Sequence, residues 1–299
     1  MIQIGLRAHD YGKLEPQRLA DILAQYHPES IQLALSKALN PSPNPGSLSP
    51  GYARMIRKIF EARNISIAVL SCYINPIHPD PDEREKALRS FEEHLCYARD
   101  FGCALVGTET GSLNADCSFH PDTEKDSTFD LFCKSAERLV NYAEKCGCAV
   151  AIEPVAYQHT ISSIEKMNKF LSLFPSPSLK VIWDPVNLLP VTGLPAGESQ
   201  MEFFTRTLDA FGSRIAAVHA KDFRMENGQK KGDLPAGTGE LDWTALLKLL
   251  VERKGSIDII LENTNPETAR SIIAFLRETA DKAAANHFSL NFANNSALL

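Results

Sequence analysis

Eight short runs of β-branched and apolar residues recur along the chain, separated by longer stretches with the period of an amphipathic helix. The runs are Ile2–Arg7, Ser30–Leu35, Ser66–Ser71, Cys103–Glu109, Cys148–Glu153, Leu179–Asp184, Ile215–Ala220 and Ile257–Glu262. Most are near-continuous in apolar character, as parallel strands covered on both faces should be. Between them, Leu88, Phe91, Leu95 and Ala98 step by three, four and three residues, and Phe129, Phe132, Ala136, Leu139 and Ala143 follow the same spacing. Ser49-Pro50, Asp80-Pro81 and Asn265-Pro266 each set a capping residue before a proline suited to a first helical turn. Ser162 and Glu165 are spaced for a capping box. Eight β-then-α units without a linker predict an α/β protein: a single (β/α)8 TIM barrel spanning residues 1–299. The competing doubly wound sheet would carry a glycine-rich phosphate turn after its first strand, and Gly5-Leu-Arg-Ala-His-Asp10 does not match one.

Composition narrows the partners. Lys and Arg number 31 against 37 Asp and Glu, a net charge of −6, which argues against the concentrated basic stripe of a nucleic-acid surface. No uninterrupted apolar segment approaches the roughly 20 residues that span a bilayer. The opening Met1-Ile-Gln-Ile-Gly-Leu-Arg7 lacks the basic front and long apolar run of a signal peptide. Seven cysteines, with Cys146-Gly-Cys148 at neither zinc nor redox spacing, read as buried free thiols in a reducing cytoplasm. Pro41-Ser-Pro-Asn-Pro-Gly46 reads as a stiff loop over a site or a subunit contact, in a homodimer or homotetramer. From about Ala283 the period fades, predicting a C-terminal extension that wraps the barrel or a partner.

In barrels of this kind, chemistry sits at the C-terminal ends of the strands. The last four runs end in Glu153, Asp184, His219 and Glu262, all of metal-ligand type. Three carboxylates brought together would repel one another, and a divalent cation removes that conflict. Three oxygen donors and one imidazole suit Mn²⁺ or Mg²⁺ first, with Zn²⁺ or Co²⁺ also compatible. Each carboxylate could instead cap a helix or pair with a base, but four such residues on successive strand ends favour one metal site.

These segments carry a resemblance. Glu153-Pro-Val-Ala-Tyr-Gln-His159, Ile182-Trp-Asp-Pro-Val-Asn187, Val218-His-Ala-Lys-Asp222, Gly237-Thr-Gly-Glu-Leu-Asp-Trp243 and Leu261-Glu262, in that order, resemble the xylose-isomerase-like TIM barrel superfamily and within it the sugar phosphate isomerase/epimerase group. Asn75-Pro-Ile-His-Pro-Asp80 and Val106-Gly-Thr-Glu-Thr-Gly111 add to the likeness, which covers about residues 65–280. The resemblance implies that Glu153, Asp184, His219 and Glu262 hold one divalent metal and that Glu153 and Glu262 also move protons as the catalytic pair. It makes His159 a substrate-contact candidate, although a surface His flanking a helix reads the same. Glu109 is a candidate for substrate hydroxyls or a partner for Arg7. Lys221 and Arg224 follow the seventh run, where barrels often bind phosphate, or form a solvated basic loop. One departure stands out: family members generally carry Asp-x-x-His after the sixth strand, whereas this chain has Asp184-Pro-Val-Asn187. Asn187 can hydrogen-bond a substrate oxygen but is a poor ligand for a second metal.

The chemistry implied is proton abstraction beside a carbonyl in a small carbohydrate, the enediolate being stabilised by the metal. A keto-inositol dehydratase would use the same first step. An abasic-site endonuclease would need two or three zinc ions, and a purely carbohydrate-binding barrel would have no use for two opposed bases.

Overall fold

Each sequence run becomes a strand because it is flanked by helices that cover its outer face. The computed structural model describes the backbone of residues 1–296 and the side chains of residues 1–287. Its elements begin β1 (Ile2–Arg7), α1 (Pro16–Ala24), β2 (Ser30–Leu33), α2 (Leu35–Ala38), α3 (Pro50–Glu61), β3 (Ser66–Ser71), α4 (Pro81–Tyr97) and β4 (Leu105–Glu109). They continue with α5 (Asp126–Cys146), β5 (Ala149–Glu153), α6 (Ile164–Leu173), β6 (Leu179–Trp183), α7 (Pro185–Leu188) and α8 (Gln200–Phe211). The last are β7 (Ile215–Glu226), β8 (Gln229–Pro235), α9 (Trp243–Arg253), β9 (Ile257–Leu261) and α10 (Ala269–Ser296). Strands β1 to β7 pair in sequence, β7 pairs β9, and β9 returns to β1, all in parallel. The result is the closed eight-stranded (β/α)8 barrel that the alternation predicts.

The differences lie where local pattern gives way to tertiary pairing. The seventh strand runs past Ala220 to Glu226 because its polar second half pairs antiparallel with β8, a ninth strand outside the barrel. The C-terminal extension is helical: from Ala283 its backbone continues α10 as far as Ser296, and residues 297–299 lie outside the described ones. Among the caps, Ser49 and Asp80 accept from the backbone of their first turns as expected. Ser163 rather than Ser162 caps α6, bonding Lys166 N, and the capping box is formed by Ser199 and Glu202 at α8. None of the described helices is long and apolar enough to cross a membrane.

The core is continuous from the barrel interior to the helix layer. Trp183 is fully buried and packs edge-on against Phe204 of α8, outside the sheet, at 5.9 Å between ring centroids. Burying large aromatic side chains of this kind contributes about 3 kcal/mol or more each when judged by truncation. The loop after β2 is pinned from below: Glu93 on α4 accepts from Gly46 N at 2.9 Å and Leu48 N at 2.8 Å. All seven cysteines are free thiols.

Candidate metal centre and its cavity

Strand alternation and barrel closure bring four sequence-distant side chains together at one end of the barrel. Glu153 ends β5, Asp184 follows β6, His219 lies within β7, and Glu262 follows β9. One ligand atom each from Glu153, Asp184 and His219 fall within 4.8 Å of one another, and all three residues are buried. Glu262 joins them through the histidine, whose Nδ1 stands 3.2 Å from Glu153 Oε2 and 3.3 Å from Glu262 Oε1.

The local chain explains which atoms are free. Asp184 is the N-cap of α7, and its Oδ1 accepts from Val186 N at 2.8 Å and Asn187 N at 2.9 Å. Its Oδ2 is buried without a hydrogen bond, as is His219 Nδ1. Both atoms have ionic neighbours only, and their convergence in a buried place offers a cation two donors that no hydrogen bond has taken. His219 Nε2 is turned the other way, 2.6 Å from Gln32 Oε1. Gln32 is itself held by donating to the Tyr73 hydroxyl at 2.7 Å. With Nε2 donating to Gln32, Nδ1 is the nitrogen turned to the carboxylates: it carries a proton while His219 is charged and would offer its lone pair to a cation once that proton is released. The donor set of Glu153, Asp184 and His219 therefore fits a divalent cation.

Three cations offset the repulsion expected among the carboxylates. Lys221, in β7, is buried with its ammonium 3.0 Å from Asp184 Oδ2, 3.4 Å from Glu262 Oε2 and 3.2 Å from Asp233 Oδ1. Arg7 reaches Glu262 Oε1 at 2.9 Å and Asp10 at 2.8 Å. Burial works against charge on His219, but Glu153 and Glu262 outweigh it and lift its pKa to about 9. Burial would likewise raise Glu262, yet His219, Lys221 and Arg7 hold it down to about 2. Asp184 is raised by its complete burial, with Lys221 opposing.

Around this centre a cavity of about 780 Å³ opens, within the size range of small-molecule sites. It brings together most of the residues expected from sequence. Glu109, in register with Glu153, has its carboxylate 3.6 Å from His159 Nδ1 and does not pair with Arg7. Burial, followed by the charges of Glu153 and Glu262, raises Glu109 to about 7. His159 is buried on the cavity wall with both ring nitrogens free of hydrogen bonds, so it is no surface residue. Asn187 donates to Glu153 Oε1 at 2.7 Å, orienting that carboxylate. Arg224 is left out: it is exposed, does not line the cavity, and donates to Thr238 O at 2.8 Å.

Gln32 and Asp233 escaped the sequence reading. A polar residue inside the run Ser30-Ile-Gln-Leu was the available signal for Gln32, which is 1% exposed. Asp233 comes from β8, whose pairing no local pattern announces. Asp222, by contrast, is structural. It is fully buried and accepts from Phe223 N, Gly237 N, Leu241 N and Trp243 Nε1 at 2.9–3.0 Å. A Cβ at Gly239 would meet Phe223 O at 2.2 Å and Asp222 Oδ1 at 2.3 Å, so the Gly237-Thr-Gly239 turn must be bare to wrap this carboxylate.

Comparison with known proteins agrees with this fold. No curated protein sequence matches the chain. A structure of L-ribulose 3-epimerase superposes with a TM-score of 0.74 at 12% identity, covering 97% of this chain and 98% of that one. D-Psicose 3-epimerase with D-tagatose, from Clostridium cellulolyticum H10, gives 0.67 at 13% identity, over 93% of this chain and 99% of that one. The IOLI protein with a binding zinc atom gives 0.68 at 15% identity, over 96% and 99%. At such identities the likeness is one of fold. The family model of the xylose isomerase-like TIM barrel, however, matches residues 21–279, which contain every strand but the first and all four clustered side chains. With most of its length inside that match, the chain belongs to the xylose isomerase-like TIM barrel family.

Proposed function

We propose that this protein is a divalent-metal-dependent isomerase or epimerase of a small carbohydrate, acting by proton transfer at the carbon beside a carbonyl. The observation that carries the reading is the convergence of Glu153, Asp184 and His219 within 4.8 Å, with Glu262 beside the same imidazole nitrogen as Glu153. Structural neighbours that include 3-epimerases support the class, and the zinc of the IOLI protein supports a metal at such a centre.

Glu153, Asp184, His219 and Glu262 would hold the ion. When bound, it supplies positive charge that acidifies the C–H beside the substrate carbonyl and offsets the charge of the enediolate. Glu262, kept ionised by its three cationic neighbours, takes the proton from carbon, and the C–H electron pair moves into the carbonyl. Glu153, fixed by Asn187, delivers a proton to the opposite face, and exchange with solvent resets both carboxyls. Glu109, titrating near neutrality, can donate to or accept from a substrate hydroxyl, with His159 beside it. Lys221 holds Asp184 and Glu262 in place and keeps positive charge at the cavity wall.

The test is solvent deuterium uptake at carbon across ketoses, their acids and phosphates, and inososes, with the Mn²⁺-loaded protein. Exchange lost in both Glu153→Gln and Glu262→Gln supports the assignment. Near-wild-type exchange in either removes it, and exchange with loss of a hydroxyl would indicate the dehydratase variant.

A further inference from the structure

One wall of the cavity carries two polar groups that the chemistry above does not use. Lys37, on α2, has its ammonium 3.9 Å from the centroid of the Tyr73 ring. His9 meets the same ring edge-on, at 5.9 Å between centroids and 86° between planes. All three residues line the cavity, and Tyr73 is the residue that steadies Gln32 behind His219.

The other cations of this cavity already have carboxylate partners. Arg7 is taken by Asp10 and Glu262, Lys86 by Glu83, and Lys221 by three acids. Among the described residues, Lys37 has no carboxylate within 4.0 Å and rests on an aromatic face alone. His9 has its Nδ1 buried without a hydrogen bond, which leaves Nε2 as the nitrogen a ligand can reach. Burial, then the charges of Arg7 and Lys37, keep this imidazole neutral, with a pKa of about 4.

We propose that Lys37 and His9, set on the face and the edge of Tyr73, form a carboxylate subsite, so that the substrate is a sugar acid. This rests on the isomerase reading for the rest of the substrate's placement. Two separated groups, an ammonium and a neutral imidazole, match the two oxygens of a monoanionic carboxylate. A phosphate brings a third acceptor oxygen and close to twice the charge, more than one ammonium and a neutral imidazole match. The carboxylate would sit across the Tyr73–Gln32 pair from His219, leaving the carbonyl end to the metal centre.

The test separates this subsite from the reaction by using ligands without a carbonyl. Binding of D-gluconate, sorbitol and sorbitol 6-phosphate to the Mn²⁺-loaded protein is measured by calorimetry. Gluconate should bind about tenfold or more tightly than sorbitol, as one charge-assisted hydrogen bond supplies. Lys37→Met should erase that preference, and His9→Gln should reduce it; Lys37 is exposed, so its variant tests binding and not folding. Equal binding of gluconate and sorbitol, tighter binding of the phosphate, or a preference that survives Lys37→Met would overturn the proposal. A gluconate preference that Lys37→Met abolishes, in a protein that exchanges no deuterium with any carbonyl substrate, would uphold the subsite and count against the isomerase reading. Deuterium exchange without a gluconate preference would do the reverse.

Discussion

Lys221 holds its ammonium 3.0 Å from Asp184 Oδ2, the oxygen of that carboxylate that receives no hydrogen bond. Oδ1 is committed to the first turn of α7, so Oδ2 is the atom a cation must use. A fixed positive charge therefore competes with the metal for the same oxygen, and it also keeps the metal-free barrel from burying unbalanced carboxylates.

Lys221→Met should show both effects. Leaving Asp184 and Glu262 without their ammonium should destabilise the metal-free protein by about 3 kcal/mol. The stabilisation given by Mn²⁺ should grow relative to wild type, because the competitor is gone. Melting temperatures with chelator and with Mn²⁺ measure both, and an unchanged metal increment would contradict the competition.

Metal binding should depend steeply on pH through His219. Its pKa in the folded protein is lifted from 6.5 to about 9, so below that value the Nδ1 lone pair is reached only by releasing a proton. Apparent Mn²⁺ affinity should rise about tenfold per pH unit up to about pH 9. Calorimetry in buffers of different ionisation enthalpy should count close to one proton released at neutral pH; a flat profile would show that His219 is no ligand.

The metal-free protein should have its own stability window. The raised His219 contributes fully below about pH 6.5 and loses its contribution as pH rises through about 9. The depressed Glu262 contributes above about pH 4.5 and loses its contribution as pH falls through about 2. Urea midpoints in chelator should therefore be highest between about pH 4.5 and 6.5, and a maximum at alkaline pH would reverse the assignment of charges.

Gln32→Leu should weaken Mn²⁺ binding by about 10- to 100-fold, the usual effect of losing the partner that orients a ligating histidine. The fold should persist, since leucine matches the apolar neighbours of β2. Retained affinity would mean that packing alone orients His219.

Asp222→Ala should unfold the hairpin return rather than disable the metal centre. Four donors would lose their acceptor in a buried place, at about 1–3 kcal/mol each before relaxation. The expected result is a large drop in melting temperature with the metal increment preserved in whatever folds. A stable, inactive variant would give Asp222 a direct part in the chemistry.

The sequence by itself determined the barrel and the strand ends. Eight apolar runs can be buried only by helices on their outer faces, and closing the sheet then fixes Glu153, Asp184, His219 and Glu262 at one rim. Period and cap chemistry are local, so they survive translation into structure within a residue or two, as at Ser49 and Asp80. Only the tertiary structure decided which atoms of those residues are free, that Asn187 serves Glu153, and that Arg224 faces away from the cavity. It also decided that Gln32, Lys37 and Asp233 join the site, because their partners lie on other strands or on a hairpin formed by long-range pairing. Charge balance was illegible for the same reason: the pKa of a buried group depends on who stands within a few ångströms, and distance along a chain says nothing of distance across a barrel.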